Sequence, residues 1–126
     1  MTYKLFLDDV RDPIFLAERG YVCPAAGVWV IARSYYEAIS AVRNFGVPDF
    51  VAFDHDLEDA HYDGAEGHER TGYEFAKWLT DYIDSNNTEL SDNFDWVVHS
   101  MNSVGAANIR NWMNNWFRQY LNERNS

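Results

Sequence analysis

The sequence predicts an α/β protein, a single three-layer sandwich built on a parallel sheet of about four strands. Two observations carry this. Short apolar runs suited to strands buried on both faces alternate with segments whose apolar residues recur every three to four positions. That alternation marks strand–helix–strand crossovers, which are right-handed and cover both faces of a parallel sheet. The 126 residues, 47% hydrophobic and 17% aromatic, suffice for one core, so one domain is expected over residues 1–126. A chain this apolar is folded rather than disordered.

The elements follow in order. KLFL at residues 4–7 is the first strand; Asp12-Pro13 then starts a turn, IFLAERG has the makings of a short helix, and CPAAG is loop. VWVIA at residues 28–32 is the second strand. In SYYEAISAVRNFG, Ser34 and Glu37 have capping-box spacing, Ala38, Ile39, Val42 and Phe45 form an apolar stripe, and Gly46 stops the helix. FVAF at residues 50–53 is the third strand. Residues 58–70, EDAHYDGAEGHER, are too polar to pack and are expected beside whatever the strand ends build, with His61 and His68 in solvent. Thr71 and Glu74 repeat the capping box ahead of Phe75, Trp78, Leu79, Tyr82 and Ile83, and WVV at residues 96–98 is the fourth strand. The last helix carries Ile109, Trp112, Met113, Trp116, Phe117, Tyr120 and Leu121 at steps of three and four, with both Trp residues read as core rather than as a stacking platform.

Charge and cysteine content narrow the partners. Twenty acidic against ten basic side chains, a formal charge of −10, work against binding to duplex DNA or an anionic membrane. A small phosphorylated substrate or an RNA end stays compatible, because a local cation overrides the overall field. Cys23 is the sole cysteine, so no internal disulfide or cysteine zinc cluster can form. With no run of 18 apolar residues, a cytoplasmic location is the expectation. Whether there is a protein partner stays open.

In an open parallel sheet all strands share one carboxyl edge, and ligands bind outside it. Here the first strand ends in Asp8, Asp9 and Arg11, the second leads to Arg33 and Ser34, the third to Asp54, His55 and Asp56, and the fourth to His99, Ser100 and Asn102. Carboxylates brought together repel and need a compensating cation or a shared proton. Asp8, Asp9, Asp54 and Asp56 are therefore candidate ligands for a divalent metal, Mg²⁺ or Mn²⁺ by their hard oxygens, with zinc held by His and Asp as a further possibility. His55 and His99 are candidate general acid and base, imidazoles titrating near neutrality, with Asp54 and Ser100 beside them. Arg11 and Arg33 are candidate phosphate clamps, since guanidinium offers a planar fork of donors. Asn102 and Gly105 are candidate phosphate contacts at a helix start, where backbone N–H groups favour anions. Each has a plainer reading. Asp8 and Asp9 could cap the turn at Pro13, Asp56 could cap its loop, Ser100 and Asn102 could cap the last helix, and the arginines could merely offset neighbouring acids. No Walker loop, G-x-G-x-x-G or G-x-S-x-G occurs, and the His55-Asp56 doublet follows a strand, unlike the helical HD phosphohydrolase doublet.

The set LDDVRDP, FDHDL, TGYEF and VVHSMNSVGAANI, in this order over nearly the whole chain, resembles the cyclic-phosphate processing receiver domains. Through them it is similar to the phosphoacceptor receivers of two-component signalling, which have a flavodoxin-like fold. Asp8 and Asp9 fall where receivers carry an acidic pair, Asp54 where they carry the phosphoacceptor, and Ser100 where they have Thr or Ser. The chain departs from receivers in lacking the fifth strand unit with its Lys. His55 and His99 match the processing family instead. That resemblance, which extends to phages and bacteria alike, implies a phosphoesterase acting on cyclic phosphates, such as 2′,3′-cyclic nucleotides or RNA ends. The alternatives it leaves open are a noncatalytic module, phosphorylated on Asp54 or binding a phosphorylated ligand or protein, and a sensor that binds a cyclic nucleotide uncleaved.

Overall fold

A computed structural model describes residues 2–57 and 71–124. The described elements are β1 (Tyr3–Leu7), α1 (Ile14–Glu18), β2 (Val28–Ala32), α2 (Tyr35–Phe45), β3 (Phe50–Phe53), α3 (Gly72–Ser85), β4 (Asp95–Val98) and α4 (Ser103–Arg124). The expected crossover fold is present: the strands form one parallel sheet in the order β2-β1-β3-β4. The polar segment 58–70, with His61 and His68, lies outside the described residues.

Local chemistry sets the helix ends. Ser34 Oγ accepts the Glu37 N–H at 3.1 Å and Thr71 Oγ1 accepts that of Glu74 at 3.2 Å, each satisfying a donor that helix geometry leaves open. The reciprocal half of each box is absent: Glu37 Oε1 accepts from Arg33 N, and Glu74 pairs with Lys77. Gly46 ends α2 with φ of 89°, a left-handed backbone that favours glycine.

The two faces of the sheet are unequal. On one, Leu5, Leu7, Val51 and Phe53 pack under Val42 of α2, Phe75 and Leu79 of α3, and Ile109 and Met113 of α4. On the other, Phe6, Phe50 and Ala52 are covered chiefly by Leu16 and Phe15 of the five-residue α1, together with Tyr21 and Cys23. Burial on both faces therefore holds for the central strands β1 and β3 but not for the edges, where Val28 is 59% and Ile31 39% exposed. Trp112 and Trp116 sit at the seam of α3 and α4 rather than in mid-core, donating their indole N–H groups to Thr80 and Asp84.

Candidate functional site

Strand register builds the site. Leu7 pairs with Phe53 and Phe53 with Val98, and the ladder runs one rung further through Asp8 N to Ala32 O, Asp54 N to Leu7 O and His99 N to Phe53 O. Side chains alternate across a strand, so Asp8, Asp54 and His99 continue the row Phe6, Ala52, Val97 on the α1 side. All three are buried. The ligand atoms they offer lie within 4.8 Å of one another.

Asp8 is the hub of this row. Its Oδ1 accepts the backbone N–H groups of Val10 at 2.9 Å and Arg11 at 2.8 Å, while Oδ2 accepts Arg11 Nη1 at 3.3 Å and His99 Nε2 at 3.0 Å. Burial alone would raise its pKa, yet the His99 bond and the two backbone donors hold the carboxyl well below the usual carboxylate range. Asp54 moves the other way, raised by burial and by the Asp8 charge despite His99, a hydrogen bond from Ser100, and Arg11. The Arg11 guanidinium also stands 3.8 Å from Asp54 Oδ2. The His99 ring is stacked on Phe6 at 4.9 Å between centroids and meets the edge of Phe15.

Asp8, Asp54 and His99 stand close enough to share a divalent ion, which would have to displace donors already on Asp8. A hard cation binds carboxylate oxygens at about 2.0–2.1 Å through free lone pairs, whereas both Asp8 oxygens are already saturated by the four donors above. The compensation that two buried carboxylates require is supplied within the chain by Arg11 and by the His99 N–H.

His55 and Asp56 stand apart from that row. His55 follows Asp54, so alternation turns it to the opposite side, where its ring lies over Gly105 in the first turn of α4; a Cβ there would come within 2.6 Å of His55 Nδ1 and closer still to Cγ. His55 Nδ1 is 2.8 Å from Asp56 Oδ1, which also accepts from Asn102 Nδ2 at 3.1 Å. Ser100 links the two groups, donating to Asp54 while its Oγ accepts the Asn102 N–H at 3.1 Å. Gly72 makes the close packing possible: its N–H donates to His55 O at 2.9 Å, and a Cβ on it would overlap the Asp54 carbonyl.

Several expected roles change with this geometry. The His99 side chain has no exposure and bonds Asp8 instead of reaching solvent, whereas that of His55 is 17% exposed. Asp56 turns to His55 and Asn102 instead of joining Asp8 and Asp54. Asp9, half-buried, is outside the three-residue cluster. Arg33 braces the loop after β1, donating to the carbonyls of Asp8 and Arg11 and to Asp12 Oδ1 at 2.6 Å. Arg11, with 31% of its side chain exposed, is left as the cation of the buried group. Sequence reasoning did not single out Phe6, Phe15 or Gly72. The two-residue step from Phe6 to Asp8 is the signal for the first; Phe15 has none, because its contact depends on the path of the loop before α1.

One consequence concerns stability. Asp54→Asn should stabilise the fold at pH 7 by on the order of 1 kcal/mol, because it removes a carboxylate destabilised by burial and by Asp8. Since the folded-state pKa of Asp54 is raised, the cost of its ionisation is present above that pKa and fades as pH falls through it. Urea titrations at pH 7 and pH 4 should therefore show a gain that shrinks in acid; an equal gain at both would contradict the assignment.

A parallel sheet with helices on both faces and an acidic, histidine-bearing carboxyl edge defines a receiver-like α/β domain. The chain belongs to the cyclic-phosphate processing receiver domain family, whose model matches residues 3–115. No curated protein and no solved structure matches it. Among the described residues no helix is long and apolar enough to cross a membrane.

Proposed function

We propose that this domain hydrolyses cyclic phosphoesters, of the kind found in 2′,3′-cyclic nucleotides or at RNA ends, with His55 as the working acid/base group. The observation that carries the reading is the partly exposed His55 imidazole: Nδ1 is tied to the Asp56 carboxylate, and among the described residues nothing engages Nε2, the nitrogen that accepts a proton. Arg11, held by Asp8 and Asp54, is the donor for a phosphoryl oxygen, and the family membership supplies the substrate class.

In the reaction water attacks phosphorus and gives a proton to His55 Nε2. The P–O bond of the ring breaks, and the departing ribose oxygen receives that proton from the imidazolium, yielding a phosphomonoester and a free hydroxyl. Asp8 and His99 keep Arg11 and the strand ends in place.

A screen of cyclic and linear phosphoesters, with and without chelator, tests this. Ring opening of a 2′,3′-cyclic mononucleotide that survives chelation is expected. Loss of the rate on chelation would mean that Asp8 surrenders a donor to a cation, and no turnover of any ester would defeat the proposal. The phosphoacceptor reading finds less support, because Asp54 is only 4% exposed and is engaged by Ser100.

A further inference from the structure

The His55 imidazole is one member of a larger bonded group. Asn102 caps α4 through Oδ1, which accepts the Gly105 N–H at 2.9 Å. The cap fixes the amide plane, because only the oxygen can accept from that N–H, and Nδ2 is thereby aimed outward at Asp56 Oδ1. Asp56 is 63% exposed at its side chain, so nothing about burial forces it into this arrangement. It nonetheless takes two donors on one oxygen, Asn102 Nδ2 and His55 Nδ1.

Resting on the hydrolase reading above, we propose that Asp56 and Asn102 are positioning residues for His55, fixing its neutral form as the Nδ1–H tautomer with Nε2 bare, and that Gly105 provides the clearance in which the ring lies. The logic is general: a carboxylate on one ring nitrogen selects the tautomer and orientation, and the other nitrogen does the proton transfer. The start of the last helix thus sets the aim of a base delivered by β3, a link between segments 46 positions apart. The same contacts give Asp56, Asn102 and Gly105 a task other than binding metal or phosphate.

Side-chain ¹⁵N NMR of His55, read beside steady-state kinetics on a 2′,3′-cyclic mononucleotide, tests this. In wild type the neutral ring should carry its proton on Nδ1. Asp56→Ala should shift it toward Nε2–H and lower kcat about 10- to 100-fold with KM within about threefold. Asp56→Asn, which keeps an acceptor, should restore much of both. In a His55→Ala background, Asp56→Ala should cost nothing further. An unchanged tautomer in Asp56→Ala, or an equal loss of kcat in both backgrounds, would overturn the proposal. A wild type inert toward every cyclic phosphate, with the tautomer shift intact, would defeat the hydrolase reading while upholding the positioning of His55.

Discussion

Replacing His55 with alanine should lower kcat on a cyclic phosphoester by about 10²- to 10⁴-fold, the range a positioned acid/base group contributes, and leave the melting temperature near that of wild type. The asymmetry follows from where the ring sits. Its side chain is partly exposed, bonds the exposed Asp56 and belongs to neither apolar cluster, so deletion opens no cavity in them. Phosphate affinity should change little, because Arg11 is held by Asp8 and Asp54 and not by His55. KM should therefore stay close to wild type while kcat falls, the pattern of a group used in the transition state. A variant that keeps its rate, or one that loses rate only because it unfolds, would remove His55 from the mechanism.

Asp8→Ala should have the largest effect on stability, a loss of about 3–5 kcal/mol, as when one partner of a buried charged pair is removed. Four donors would lose their acceptor at once: two backbone N–H groups, the Arg11 guanidinium and His99 Nε2. Domain stabilities are commonly about 5–15 kcal/mol, so the variant should sit near its unfolding threshold at 37 °C. The acid limb gives a second reading. The Asp8 pKa is depressed in the folded state, so its contribution is fully present above the unfolded value of about 3.9 and is lost as pH falls from there toward the folded one. Wild type should lose stability in that window, and Asp8→Ala should lose correspondingly less. Denaturant titrations of both proteins from pH 7 to pH 2.5 check both the size and the slope.

Much of this was legible in the sequence, for identifiable reasons. FVAF and KLFL read as central strands because both faces of β1 and β3 are buried, and Ser34, Gly46 and Thr71 marked helix ends because their caps are made by local contacts. The convergence of Asp8, Asp54 and His99 followed from parallel strands alone. What stayed hidden depends on contacts between distant segments. The sealing of His99 against Phe6 and Phe15 needs the loop after β1 to fold back, and the commitment of Arg33 to that loop needs β2 beside β1. The turn of Asp56 toward Asn102 depends on the cap of α4. Nor does a short apolar run disclose that β2 is an edge strand whose Val28 and Ile31 stay exposed.

The account stands most directly on ³¹P NMR of a 2′,3′-cyclic mononucleotide incubated with purified wild-type and His55→Ala proteins in parallel. Conversion of the cyclic resonance to a phosphomonoester by wild type, slowed at least 100-fold in the variant, is the expected result. A cyclic signal that persists with wild type, or that disappears equally fast with both proteins, would contradict it.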